Sequence, residues 1–234
     1  QNTLSEKMIG ELQQALDDLQ QGPSKVIVLS STGKVFSAGH DLRELKSARL
    51  HSDQGHEYFQ NILKKCSTLM QSIVSHSKPV IAQVEGVATA AGCQLALSCD
   101  LVYASSNSVF ATPGVNIGLF CSTPMVALSR NITRKKAFEM LTTGDFLDPF
   151  QAEELGLINK VALSKDLSMC SLDIAEKIAS KLSLAVKIGK KAFYKQAEME
   201  IDDAYSYASK VMVENILYKE TNKGMDDFLN KKKS

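Results

Sequence analysis

The sequence predicts an α/β protein whose last third is purely helical. Two observations carry that class. Short apolar runs bounded by breakers, the pattern of strands buried on both faces, alternate with helical periodicities over the first two thirds. From Pro124 onward helical patterns take over, interrupted by one strand-like run at Leu157–Val161. The expected boundary between the α/β body (1–163) and the helical region (164–234) lies near 163–166, as a change of architecture rather than a linker.

The elements follow in order. Thr3-Leu-Ser-Glu6 is a capping-box pattern, and Leu4, Met8, Leu12, Leu16 and Leu19 follow at helical spacing. Gly22-Pro23 stops that helix. Lys25–Ser30 is a buried strand, and Val35-Phe36 is a short one after the turn Ser31-Thr-Gly33. Asp41 caps a brief helix, and a longer helix spans about 54–75 before Ser77-Lys-Pro79. Val80–Val84 is the next strand. Gly86 and Gly92 flank a loop of small residues, and Gly92 opens a helix through Leu97. Asp100–Ala104 is a strand, followed by extended pieces at Val109-Phe110 and Val115-Asn116. The later helices are expected near 124–130, 134–142, 149–155, 166–182, 184–196, 200–218 and 222–230.

Composition narrows the function classes. The 234 residues are 44% hydrophobic and 23% charged, enough for a full core without metal or disulfide staples. Lys plus Arg is 27 against 26 for Asp plus Glu, so no net field attracts nucleic acid or an anionic membrane. Trp is absent and aromatics are 6%, which argues against a base-stacking platform. No apolar stretch reaches the roughly 18–20 residues of a membrane span. Five scattered cysteines without a C-x-x-C pair point to a reducing intracellular compartment, and to neither a disulfide framework nor a zinc site. The chain opens at Gln1 without Met, signal peptide or Arg-rich presequence, so any targeting segment is expected to be removed or absent. It closes on Lys231-Lys-Lys-Ser234, which is not the Ser-Lys-Leu address. Bacterial cytoplasm and mitochondrial matrix both remain open.

No P-loop, G-x-G-x-x-G, H-E-x-x-H or G-x-S-x-G pattern occurs. Two small-residue loops remain, Phe36-Ser-Ala-Gly-His-Asp-Leu42 and Val84-Glu-Gly-Val-Ala-Thr-Ala-Ala-Gly-Cys-Gln-Leu-Ala96. Each leaves backbone N–H groups uncovered by side chains, and the second sets them at a helix N-terminus, where developing negative charge is favoured. Two such donors converging on one oxygen form an oxyanion hole. Close helix–strand packing is the other use of small residues.

These loops, with Lys78-Pro-Val-Ile-Ala82, Gly92-Cys-Gln-Leu-Ala-Leu-Ser-Cys-Asp100, Phe110-Ala-Thr-Pro-Gly-Val-Asn-Ile-Gly118, Leu141-Thr-Thr-Gly144, Ala152–Val161 and Gly224-Met-Asp-Asp-Phe228, resemble the enoyl-CoA hydratase/isomerase (crotonase) superfamily over essentially the whole chain. The resemblance implies a crotonase-like ββα spiral, a C-terminal helical trimerisation region, a homotrimer or hexamer, and acyl-CoA ligands. Coenzyme A is then part of the substrate, and no separate cofactor or metal is implied. It also implies a first strand that this sequence lacks. Carried over by position, the oxyanion N–H groups belong to His40 and Ala91. Ala38, Asp41, Leu42 and Arg43 fall in the loop that lines CoA, with Arg43 a charge contact to it. Asn116 and Cys121 fall among pocket-lining positions, and Phe228 and Lys231 near the adenine of a neighbour's site.

The departures concern chemistry. The two glutamates that add water in hydratases of this family fall at Gln94 and Gly114. A glutamine does not titrate and a glycine has no side chain. The expectation is therefore acyl-CoA processing in fatty-acid metabolism without two-carboxylate hydration: decarboxylation, thioester hydrolysis or isomerisation. The alternative is a non-catalytic acyl-CoA binding or assembly protein. His40 is a candidate substitute base, because imidazole titrates in the right range.

Overall fold

The computed structural model describes residues 1–231, with the side chain of Lys231 outside that description. Among these described residues, seven strands make two parallel sheets. The first holds β1 (Ile27–Ser30), β3 (Val80–Val84), β5 (Leu101–Ser105) and β7 (Lys160–Ala162) in the order β1-β3-β5-β7. The second holds β2 (Val35–Ser37), β4 (Val87–Thr89) and β6 (Val109–Ala111) in the order β2-β4-β6. Successive strands thus turn a corner from one sheet to the other before a helix carries the chain back. Repeated three times, this is the ββα spiral.

The helices are α1 (Glu6–Gln21), α2 (Leu42–Ala48), α3 (His56–Ser75), α4 (Ala91–Ser98), α5 (Pro124–Asn131), α6 (Arg134–Thr143), α7 (Pro149–Glu154), α8 (Leu167–Ala179), α9 (Ser183–Gln196), α10 (Ile201–Leu217) and α11 (Lys219–Lys231). β3 is apolar at four of its five positions because helices cover both faces of its sheet. All eight residues of α4 are buried, so it runs through the centre of the body. Leu4, Ile9, Ile62, Leu69, Ile73, Phe110 and Leu128 fill the core around it.

Four expectations change. The cap of α1 is Ser5, whose hydroxyl accepts from Met8 N at 3.2 Å, while Thr3 donates to Asp41 Oδ2 at 3.2 Å instead. The small-residue stretch after Gly86 contains β4, which pairs with β2 and β6 although its residues give no strand-length apolar run. Val115-Asn116 is not extended: Pro113–Ile117 is a 3-10 turn closed by Gly118, whose N–H bonds back to Val115 O at 3.2 Å. Proline at the start and a left-handed glycine at the end outweigh the β-preference of valine. Leu157 and Ile158 are buried in the turn before β7, which begins only at Lys160.

The C-terminal helices are poorly covered. No residue of α9 is buried, and on α10 only Ala204 is. Phe193, Tyr205, Met212, Val213, Ile216 and Leu217 are exposed. One contact ties α9 firmly to the body. Lys190 Nζ lies 2.7 Å from Asp100 Oδ2 and also donates to Ile73 O and Lys78 O, while Tyr194 donates to Asp100 Oδ1 at 2.8 Å.

Candidate active site

The site is built where the chain leaves β2 and β4. Gly39 has φ +82°, and a Cβ there would lie 3.0 Å from Ala91 N and 3.0 Å from the Ala90 methyl. On the other side of the junction, a Cβ on Gly92 would sit 2.1 Å from the Ser37 carbonyl oxygen. Only glycine lets the two loops approach so closely, and the approach sets Gly39, the residue before His40, against Ala90 and Ala91. Ala90 takes φ +51°, a strained conformation for a residue with a side chain. Its N–H to Ala111 O (3.0 Å) and the Gln94 N–H to its own carbonyl (3.0 Å) hold it there. The N–H groups of His40 and Ala91 have no hydrogen-bond partner among the described residues. That of Ala91 is the first orphan donor of α4.

The four N-terminal residues clamp the first loop. Leu4 N donates to Gly39 O at 2.8 Å and Ala38 N donates to Gln1 O at 3.3 Å. The Leu4 carbonyl lies 3.3 Å from His40 Nδ1. A carbonyl only accepts, so Nδ1 carries the proton in the neutral ring and Nε2 is bare. His40 Nε2 is buried without a partner, and so is Gln94 Oε1, on a side chain 5% exposed. Burial holds the imidazole below its ordinary pKa, although the Leu4 hydrogen bond and the Glu44 carboxylate pull the other way. Glu44 itself accepts from Tyr58 and from Glu6 N, each at 3.0 Å.

The other residues singled out in the sequence fall as follows. Asp41 caps α2, accepting from Arg43 N at 2.8 Å, and this holds its carboxyl below the usual range. Leu42 and Arg43 are exposed on the first turn of α2. Gly114 is buried, and a Cβ on it would meet Leu119 O at 2.5 Å and Cys121 Sγ at 2.9 Å. Cys121 is buried beneath that turn; burial pushes its thiol up, as it pushes that of Cys93 up to about 12. Neither has the pKa of a nucleophilic cysteine. Asn116 is exposed, its amide beside Gly144. Phe228 lies exposed on α11. Sequence reasoning missed Leu4, Glu44 and Tyr58, since nothing local marks a carbonyl 36 residues away as a histidine's partner.

A cleft of about 480 Å³ between α8, α9 and the starts of β3 and β5 is lined by Pro79, Leu101, Ile174, Ile178 and Phe193. It lies at the strands' amino ends, away from the loops, and its Lys190, Tyr194 and Asp100 are engaged with one another. Ligands of open α/β sheets bind beyond the carboxyl ends. The two loops are therefore the better candidate. Among the described residues there is no cluster of three or more His, Cys, Asp or Glu able to hold a metal, and no helix long and apolar enough to cross a membrane.

Comparison with known proteins agrees with this architecture. A family model for enoyl-CoA hydratase/isomerase matches residues 1–234. The rat protein "Enoyl-CoA hydratase domain-containing protein 3, mitochondrial" is 45% identical over 233 residues, covering 99% of this chain and 76% of that protein. The solved structure of human enoyl-CoA hydratase domain-containing protein 3 superposes with a TM-score of 0.92 at 44% identity, covering 98% of this chain and 89% of that one. An enoyl-CoA hydratase structure from Mycobacterium smegmatis gives 0.91 at 42% identity, covering 97% of this chain and 87% of that one. The chain belongs to the enoyl-CoA hydratase/isomerase family.

Proposed function

We propose that the protein binds acyl-CoA thioesters and processes them through an oxyanion hole formed by the N–H groups of His40 and Ala91, without the two-carboxylate addition of water. The observation that carries this reading is the junction itself: two unpartnered backbone donors on loops that pass so closely that a Cβ on Gly39 would lie 3.0 Å from Ala91 N. No cofactor beyond the CoA of the substrate is needed for such polarisation. The exposed start of α2, with Arg43, offers the CoA phosphates a positive charge. Relatives named as mitochondrial, the rat protein among them, support the mitochondrial one of the two expected compartments.

A bound acyl-CoA should show its thioester carbonyl stretch moved to lower frequency in infrared difference spectra. In Gly39→Ala the added methyl covers Ala91 N–H, and that displacement should vanish. Any turnover should fall roughly 10²–10³-fold, the usual cost of one oxyanion donor. Calorimetry finding no affinity for CoA or any acyl-CoA would overturn the reading.

Residues 164–234 serve, in the same proposal, as a trimerisation region. Two successive helices, α9 and α10, have one buried residue between them and leave Phe193, Tyr205, Met212 and Ile216 exposed. Such patches mark interaction surfaces. Sedimentation at micromolar concentration should give a trimer or hexamer. A stable monomer at that concentration would count decisively against it.

A further inference from the structure

We propose that the cleft between α8 and α9 binds a fatty acid, whose alkyl chain lies on the apolar wall and whose carboxylate sits among the lysines of the rim. The cleft lies at the amino ends of β3 and β5, away from the two loops, so this site is independent of the oxyanion-hole reading. Its wall is built by helical spacing. Ile174 and Ile178 stand one turn apart on α8, and Val186 and Phe193 two turns apart on α9. Pro79 and Leu101 come from the starts of the two strands. Phe193 is 63% exposed and the two isoleucines are half-buried, so apolar area remains to be covered. The volume of about 480 Å³ lies within the roughly 300–1,000 Å³ of small-molecule sites.

Charge selects the head group. A second cleft of about 300 Å³ shares Pro79, Ile178 and Val186 with the first and extends it towards Lys25 and Lys187. Lys177 on α8 and Lys181 just beyond its end line the first cleft. Other lysines of the pair of clefts are already engaged: Lys78 with Leu19 O and Gly22 O, Lys25 with Ala179 O, and Lys190 with Asp100. Lys177, Lys181 and Lys187 have no side-chain hydrogen bond or ion pair among the described residues. The one carboxylate on the lining is Asp100, which already accepts from Lys190, Tyr194 and Val80 N. An apolar wall beside three uncompensated ammonium groups matches a single-chain amphipathic anion. A neutral lipid leaves the ammonium groups unanswered, and a nucleotide leaves the wall uncovered. A second copy laid on by the same face would set lysine against lysine.

The test is calorimetry of decanoate, below its micelle concentration, on the full chain in its solution assembly. One decanoate should bind per chain, whether or not excess CoA is present, and more weakly as salt is raised. From octanoate to dodecanoate, affinity should rise about twofold to fourfold per methylene. Decanol, without the charge, should bind roughly tenfold more weakly. A Cβ on Gly189, which lines the cleft, would meet nothing within 4 Å. Gly189→Phe therefore fills the cleft without displacing a neighbour and should abolish binding. Lys177→Glu with Lys181→Glu, both on exposed side chains, should weaken it roughly tenfold and reads the same site if Gly189→Phe fails to fold. No binding to wild type overturns the proposal, as does undiminished binding in folded Gly189→Phe or in the lysine variant. Release of decanoate by CoA would move it to the loops and overturn it too. Binding of dodecyl phosphate but not dodecanoate overturns the fatty acid as occupant. Loss of assembly in Gly189→Phe, with no decanoate bound by wild type, would assign the cleft to a second copy and overturn it likewise.

Discussion

Crotonyl-CoA should bind to this protein and leave unhydrated. Hydration needs water activated at one carbon and a proton delivered to the next, and the family resemblance assigns these tasks to glutamates at the positions of Gln94 and Gly114. Each general acid–base group contributes roughly 10²–10⁴, so the rate should lie at least about 10⁴-fold below the order of 10 per second typical of enzymes. Adding the carboxylates back should not repair it. A Cβ on Gly114 would stand 2.5 Å from Leu119 O and 2.9 Å from Cys121 Sγ. Gly114→Glu therefore displaces the 119–121 segment at a cost of about 1–3 kcal/mol, the usual penalty for overpacking. Gln94→Glu alone supplies one carboxylate in a buried place, where burial favours its protonated form. The double variant should melt lower and still fail to hydrate. Measured hydration near 10 per second in the unmodified protein would show that an unassigned group is the base.

Asp100→Ala should be the most damaging single change away from the site. It removes the acceptor of Lys190, whose side chain is 7% exposed, together with the acceptors of Tyr194 and Val80 N. Burial already holds the Lys190 ammonium below its ordinary pKa despite the Asp100 carboxylate. Stripping one partner from a buried pair costs about 3–5 kcal/mol, which for this chain length lowers Tm by roughly 10 °C at fixed protein concentration. Lys190→Met should cost less, since Asp100 keeps Val80 N and Tyr194. Equal melts for Asp100→Ala and wild type would show that α9 is held by its apolar contacts alone.

The sequence by itself determined the α/β class, the order of nearly all elements and the two small-residue loops. Those features are local. Buried strands show as apolar runs, helices as periodicity, and the glutamine at 94 and the glycine at 114 are read directly from the letters. Met70 and Met140 are buried in the core, and Met212 is exposed on α10. β4 was illegible because Val87-Ala-Thr89 becomes a strand only between β2 and β6. The 3-10 turn at Pro113–Ile117 followed from proline and glycine punctuation that the β-preference of valine concealed. Tertiary structure alone decided the chemistry-bearing details. Leu4 O chose the His40 tautomer from 36 residues away, Leu119 O closed the space over Gly114, and Asp100 found Lys190 across 90 residues. The physical reason is the same in each case. A hydrogen-bond partner or a neighbouring atom is set by where the folded backbone passes, and no periodicity or propensity in the chain encodes that distance.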